Sequence, residues 1–144
     1  MTANVKNAIL GFVAAAISVV FVHQTIILLL NLTGLTDRTP WSFAPVPPWG
    51  VPTLVNAIFW GGFWGSVLAL FWERLPGRTT GSKGLFFGWM IFVFSNCLIL
   101  PLIKGVALFY GFDAKRLLSV FLILSGFATA TALIYERLRM RGAG

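Results

Sequence analysis

Residues 8–32 read AILGFVAAAISVVFVHQTIILLLNL, and His23 is the only ionisable side chain among them. Three further stretches, residues 51–72, 84–103 and 117–135, contain no charged residue. The four stretches are 25, 22, 20 and 19 residues long, and about 20 apolar residues in a helix span the hydrocarbon core of a bilayer. The pattern predicts an all-α integral membrane protein, built as a bundle of four transmembrane helices.

The composition fits this class of protein. Of the 144 residues 58% are hydrophobic and 10% are charged, whereas about a quarter of the residues in a soluble domain are charged. A single membrane domain, residues 1–144, accounts for the length, with spans at about 8–32, 51–73, 84–105 and 117–136. The only cysteine, Cys97, has no partner for an intramolecular disulfide or a thiolate metal site, and we expect no metal and no cofactor.

The basic residues are distributed unequally between the two ends of these spans. Three lie on the side of the loops 34–50 and 106–116, and Lys104 lies at the end of span three; seven lie on the other side, namely Lys6, Arg74, Arg78, Lys83, Arg137, Arg139 and Arg141. Basic residues near span ends mark the cytoplasmic side. We therefore expect a multi-pass protein of the inner (plasma) membrane with both termini cytoplasmic. The basic residues behind the net charge of +7 then orient the protein in the lipid bilayer. We therefore expect no nucleic-acid partner.

The two connections at 34–50 and 74–83 differ in kind. The cytoplasmic loop 74–83 is a flexible polar turn. The outer loop 34–50 is rich in proline and tryptophan, and its four prolines exclude a continuous helix. Two interpretations of the outer loop are open. It is either a strap along the membrane surface or a lid over an outward-facing cavity.

The chain shows signs of an internal repeat. Residues 69–75 read ALFWERL and residues 132–138 read ALIYERL, which agree at five of seven positions at an offset of 63. Spans one and three align at an offset of 73, which pairs Gly11 with Gly84 and His23 with Asn96. The alternative is chance similarity between apolar helices. A true duplication predicts two parallel-repeat helical hairpins, in which span one faces span three and span two faces span four.

Small residues mark the candidate helix-packing positions, which are Gly61, Gly65, Gly126 and Ala130. Small side chains allow close approach of helix backbones in lipid, where the hydrophobic effect does not drive association. We expect these positions to pack spans two and four together within one chain. Homodimerisation through the same face is the alternative.

Polar side chains within the spans mark a candidate ligand-binding pocket. By rise per residue, the strongest of them fall in the outer half of the membrane; they are His23, Gln24, Asn56, Asn96 and Lys104. Polar groups in hydrocarbon require partners and often mark function. The structural alternative is that His23 joins helices through Asn96 or Gln24, and that Lys104 extends to the headgroups.

Two function classes follow from these features. The first is a structural or accessory subunit, acting as a homo-oligomer or within a larger membrane complex. The second is a small transporter or ligand-binding membrane protein, with an outward-facing polar pocket around His23, Asn96 and Lys104. An enzyme is not expected, and no catalytic residue is assigned. The sequence offers no paired carboxylates, nucleophile–base pair or metal cluster.

Overall fold

A computed structural model describes residues 2–141, and these residues form four long helices. Helix α1 spans Ala3–Leu32, α2 spans Thr53–Leu70, α3 spans Thr80–Lys104 and α4 spans Ala114–Arg141. All four are long and apolar enough to cross a membrane, which indicates a multi-pass membrane protein. The prediction of an all-α fold is confirmed. Each helix contains most of one predicted span, although α1 begins earlier than expected and α4 continues further.

Two helices contain π-helical segments. In α1 the segment is Val19–His23, and in α3 it is Ile91–Ile99. In the first segment the Gln24 N–H donates to the Val19 carbonyl, five residues back. Such segments widen the helix locally and are frequent at functional sites.

The helices pack in the order α2–α1–α4–α3. Helix α1 contacts both α2 and α4 along its length, and α3 contacts α4. The expected arrangement, with span one facing span three, is therefore not observed, because both α1 and α3 pack on α4. The fully buried small residues Ala14 and Ala15 of α1 and Ala128 and Ala132 of α4 belong to one core cluster. The Ser18 hydroxyl also donates to the Phe127 carbonyl, 2.9 Å away, and joins the two helices.

The α1–α2 contact depends on glycine. A Cβ at Gly65 would overlap the Gly11 carbonyl oxygen and the Ala15 Cβ, both on α1. A Cβ at Gly61 would overlap Val19 of α1 and would touch Phe127 of α4 at 3.5 Å. Gly61 and Gly65 thus pack mainly on α1, whereas the sequence suggested span four.

The remaining two packing candidates lie on α4. A Cβ at Gly126 would overlap the Ile26 side chain of α1, and Ala130 is half-buried. Gly61, Gly65 and Gly126 therefore all pack on α1, and the expected packing of spans two and four through these positions is not observed.

The α3–α4 contact repeats the pattern of the α1–α2 contact. A Cβ at Gly84 would lie 2.9 Å from the Ala132 Cβ and 3.0 Å from the Ala128 carbonyl oxygen. A Cβ at Gly88 would lie 3.1 Å from the Ala128 Cβ. The two antiparallel hairpins, α1–α2 and α3–α4, are thus held together by close backbone approach at small residues.

Two ends of the bundle can be distinguished. The terminal face carries the start of α1, the end of α4 and the connection 71–79. There the Lys83 ammonium donates to the Trp72 carbonyl at 2.9 Å, and Arg139 forms an ion pair with Glu73. The loop face carries the connections 33–52 and 105–113. The contacts of Lys83 and Arg139 fasten the end of α2 to α3 and α4 at the terminal face.

The connection 33–52, which we call the strap, contains two short antiparallel strands, β1 (Pro45–Val46) and β2 (Val51–Pro52). Its carbonyl groups also cap α2. The Thr53 N–H donates to the Ala44 carbonyl at 3.0 Å, and the Leu54 N–H donates to the Ser42 carbonyl at 2.9 Å. The first N–H groups of a helix lack partners within the helix, so the strap fixes where α2 begins.

Candidate ligand-binding site at the loop face

Of the five polar residues proposed from the sequence, the hydrogen bonds described in residues 2–141 join only His23 and Gln24 to each other. His23 and Gln24 are neighbours on α1, and the Gln24 amide donates to His23 Nδ1 at 3.3 Å. Asn56 on α2 and Asn96 in the π-helical segment of α3 are half-buried, and Lys104 is exposed at the end of α3. His23 contacts Gln24 and the edge of the Phe127 ring, 6.0 Å away between ring centroids, and the charge of Arg38 also acts on it.

Gln24 and the π-helical segment of α1 anchor the strap. The Gln24 side-chain carbonyl oxygen accepts a hydrogen bond from the Trp41 N–H at 2.8 Å, and the Trp41 indole N–H donates to the Val20 carbonyl at 2.9 Å. Val20 lies twelve residues before the end of α1 at Leu32, which is about 18 Å along the helix. The strap therefore turns back along α1 towards the middle of the bundle. Neither a surface strap nor a lid describes this arrangement fully.

A second anchor holds the start of the strap against α4. The Ser119 hydroxyl lies 2.6 Å from the Leu35 carbonyl oxygen, and the Asn31 amide donates to the Arg38 carbonyl at 3.1 Å. Together with the Trp41 contacts, these bonds hold the segment between Leu35 and Trp41 at both ends. Arg38 lies in the middle of that segment.

A groove of about 510 Å³ lies between this segment and the start of α4. Its polar lining consists of three cations, two carboxylates and two hydroxyl residues: Arg38, Lys115, Arg116, Asp37, Asp113, Thr36 and Ser119. Its apolar lining includes Leu35, Val120 and Ile123. The volume lies within the usual range for small-molecule sites, about 300–1,000 Å³.

The charges of the groove are arranged around Arg116. Its guanidinium lies over the Tyr110 ring, 4.3 Å from the centroid, and its backbone N–H donates to the Asp113 carboxylate at 2.9 Å. Asp113 thereby caps the N-terminus of α4. Desolvation by the surrounding protein, with a contribution from the nearby Arg116 charge, lowers the pKa of Arg38 below its ordinary value. A nearby like charge disfavours the charged form of a cation, and a bound anion would offset that repulsion.

Tyr110 remains a neutral group beside these cations. Desolvation raises the pKa of its phenol above the ordinary value, even though the Arg38 charge acts in the opposite direction. The ring therefore offers Arg116 an aromatic face and adds no negative charge to the groove at neutral pH.

Backbone strain is concentrated in the two connections that form the groove. In residues 2–141, the non-glycine residues with positive φ are Trp41 at 47°, Phe109 at 50°, Tyr110 at 53° and Phe112 at 61°. A left-handed conformation costs roughly 1–2 kcal/mol for a residue with a Cβ. The tertiary contacts of these connections must offset that cost.

A second cavity, of about 330 Å³, has a different character. It lies between α1 and α2 near the terminal face and is lined by apolar residues and Ser66. The Ser66 hydroxyl already donates to the Ala8 carbonyl at 2.9 Å. This cavity offers a ligand no free polar partner from Ser66, so the groove at the loop face is the stronger candidate site.

The residues of the groove were missed because they looked like ordinary solvated loop charges. The sequence did contain one indication of this site. Arg38, Lys115 and Arg116 are the loop cations at the membrane face that has fewer basic residues, and the connections 33–52 and 105–113 bring them together. None of the five residues proposed from the sequence lines either the groove or the second cavity. Within residues 2–141, no group of three or more His, Cys, Asp or Glu side chains is placed to hold a metal ion.

Comparison of the chain with protein-family models, curated proteins and solved structures gave no match, so its function has to be argued from the groove itself.

Proposed function

We propose that this protein is a multi-pass membrane protein that binds a small anionic ligand in the groove at its loop face. The observation that carries the proposal is the convergence of Arg38, Lys115 and Arg116 on one cavity of about 510 Å³. Guanidinium and ammonium groups bind anions through charge-assisted hydrogen bonds. This site differs from the pocket around His23, Asn96 and Lys104 that the sequence suggested, which stays a prediction.

The distribution of basic residues favours an outer position for this groove. The seven basic residues of the terminal face exceed those of the loop face, and such a bias favours a cytoplasmic terminal face. The ligand then enters from outside the cell, and the protein acts as an outward-facing binding protein or small transporter of the inner membrane.

Binding of butyl sulfate tests this proposal. The protein is placed in nanodiscs of zwitterionic lipid, and the affinity is measured by calorimetry for the wild type, Arg38→Gln and Arg116→Gln. Loss of a hydrogen bond to a charged group costs about 1.5–3 kcal/mol, so each variant should bind roughly 10- to 100-fold more weakly.

Lys104→Gln is the matched control, because Lys104 is an exposed cation of the same face that does not line the groove. We expect its affinity to equal that of the wild type. Equal losses in Lys104→Gln and Arg116→Gln would show a general surface-charge effect and would contradict a defined site.

A structural or accessory subunit is the competing proposal, and one observation favours it. The outer helix α2 exposes a ladder of edge-to-face aromatic rings, Phe59, Trp60 and Phe63, with centroids 5.4 and 5.9 Å apart. A larger membrane partner could pack on this ladder. A homo-oligomer through Gly61 and Gly65 has less support, since both residues are buried against α1.

A further inference from the structure

We propose that residues 43–52, which we call the hairpin, contact lipid directly at the boundary between the headgroups and the hydrocarbon of the loop-face leaflet. The hairpin contains β1, β2 and the turn between them. The second crossing of the membrane then consists of α2 and a non-helical apolar segment at its start. This inference does not depend on the ligand of the groove, and its failure would leave the proposed function standing.

The first argument is the length of α2. This helix has 18 residues, which gives about 27 Å along its axis, whereas the hydrocarbon core of a bilayer is about 30 Å thick. The other three helices have 25 to 30 residues. The uncharged part of the chain is longer than α2, because residues 39–72 contain no charged side chain. The hairpin lies in that uncharged part and extends the apolar crossing beyond the start of α2.

The second argument is the depth of the hairpin beside α1. The Trp41 N–H donates to the Gln24 side chain, and the Leu54 N–H donates to the Ser42 carbonyl. These bonds place the start of α2 near the level of Gln24. The segment Gln24–Leu32 of α1 extends about 12 Å beyond that level. The hairpin starts and ends beside the start of α2, so both of its ends lie about 12 Å deeper than the end of α1.

The third argument is the surface that the hairpin exposes. Residues 43–52 read FAPVPPWGVP and contain no charged side chain. Trp49 is 87% exposed and Phe43 is 69% exposed. Apolar surface of this kind is unfavourable in water, whereas tryptophan is enriched where the headgroups meet the hydrocarbon. The connection 71–79 at the terminal face differs, because it contains Glu73, Arg74 and Arg78.

The fourth argument is the backbone of the hairpin. Four of its ten residues are prolines and bring no N–H group. The Ala44 N–H donates to the Ser42 hydroxyl at 3.2 Å, the Gly50 N–H donates to the Val46 carbonyl at 2.9 Å, and β1 pairs with β2. Backbone groups inside the hydrocarbon core must all be paired. The prolines and these bonds reduce the number of unpaired groups, and at the boundary the remaining ones reach water between the headgroups.

The test measures the surroundings of the hairpin with a nitroxide spin label. The label is attached to Trp49→Cys or Phe43→Cys in a Cys97→Ala background, and each protein is placed in nanodiscs of zwitterionic lipid. Collisions of the label with oxygen, which concentrates in hydrocarbon, are compared with collisions with a nickel chelate, which stays in water. We expect both labels to collide more often with oxygen than with the nickel chelate.

Two further positions are the matched controls. Leu29→Cys, at an exposed apolar residue of α1, is the control for lipid. Thr39→Cys, next to Arg38 in the charged part of the strap, is the control for water. Hairpin labels that behave like the label at Thr39→Cys would overturn the inference. Labels that are protected from both reagents would also overturn it, because a second copy or another protein would then cover the hairpin.

Quenching of tryptophan fluorescence keeps the inference testable if the labelled variants do not fold. The difference between the emission of the wild type and that of Trp49→Phe isolates the emission of Trp49. In bilayers of lipid brominated near the upper end of the acyl chains, we expect this difference to disappear. A difference that is the same in brominated and ordinary lipid would show that Trp49 does not contact lipid.

Discussion

Replacement of Gly65 by alanine gives the most direct test of the helix packing. The added methyl would overlap the Gly11 carbonyl oxygen and the Ala15 Cβ. The first of these is backbone of α1, so it cannot rotate away, and the two helices have to separate. The Ser66 hydroxyl, next along α2, would then lose its short contact with the Ala8 carbonyl.

The magnitude follows from two opposing contributions. Forcing a methylene into a packed interface costs about 1–3 kcal/mol. Removing a glycine from a helix returns about 0.5–1 kcal/mol. The difference between these ranges is about 0–2.5 kcal/mol, so we expect Gly65→Ala to lower the free energy of unfolding by about 1 kcal/mol. Gly84→Ala should act similarly, because its Cβ would crowd Ala132 and the Ala128 carbonyl in the second hairpin.

The assay is reversible unfolding in mixed micelles of increasing dodecyl sulfate content, followed by tryptophan fluorescence. Gly81→Ala is the control, since its Cβ would meet only the Thr79 hydroxyl oxygen at 4.0 Å. This variant should be as stable as the wild type or slightly more so. A Gly65→Ala protein that is no less stable than Gly81→Ala would refute close packing of α1 on α2.

Four further predictions concern the strap, the terminal face and the groove. Trp41→Phe removes the indole donor from the Val20 carbonyl and should lower the free energy of unfolding by about 1–3 kcal/mol. Trp49→Phe, at a residue that is 87% exposed, should leave the free energy of unfolding unchanged. Equal losses of stability in the two variants would argue against Trp41 as an anchor of the strap. Glu73→Gln should lower the free energy of unfolding by less than about 1 kcal/mol, because its ion pair with Arg139 is exposed. The loss should be smaller still in high salt. A larger loss would show that the ion pair is coupled to the packing of the helices. An impermeant thiol reagent added outside intact cells should label Thr39→Cys and spare Asn4→Cys, and the reverse result would invert the orientation. Butyl sulfate affinity should stay constant from about pH 6 to 9. Guanidinium groups remain charged there and the raised pKa of Tyr110 keeps its phenol neutral, so a decline with rising pH would contradict binding by arginine.

The helices could be predicted from the sequence because a run of about 20 consecutive apolar residues without a charge is typical of a membrane-spanning helix and rare elsewhere. The order in which they pack could not. Gly61 and Gly65 only indicate that α2 has a face open to close approach, and both α1 and α4 carry small residues that fit it. The choice of α1 depends on the whole interface, including the match of Gly11 and Ala15 with Gly65.

The path of the strap could not be predicted from the sequence either. Its prolines correctly exclude a helix, but they do not indicate the direction that the chain takes. That direction depends on Trp41 reaching the Val20 carbonyl and the Gln24 side chain, which lie 21 and 17 residues earlier. The groove follows from the same contacts. Arg38 approaches Arg116 only because the strap turns back along α1, so the site could not be found from spacing along the chain.

The internal repeat stays a prediction, and the two hairpins have similar contacts at its offsets. At offsets of 73 and 63, the close approach of Gly11 to Gly65 and Ala69 corresponds to that of Gly84 to Ala128 and Ala132. The π-helical segment of α1, shifted by 73, falls within that of α3. The packing of both α1 and α3 on α4 departs from the arrangement that a true duplication predicts.

The difference between the two halves then explains where the groove lies. The connection at 33–52 is longer than its counterpart at 105–113, and the longer one carries both Trp41 and Arg38. Trp41 fixes the strap on the π-helical segment of α1, and Ser119 fixes Leu35 on α4. Arg38 is thereby held beside the start of α4, which supplies Lys115 and Arg116. A duplicated pair of hairpins would be symmetric, and the longer strap is the element that turns one junction between them into a charged cavity.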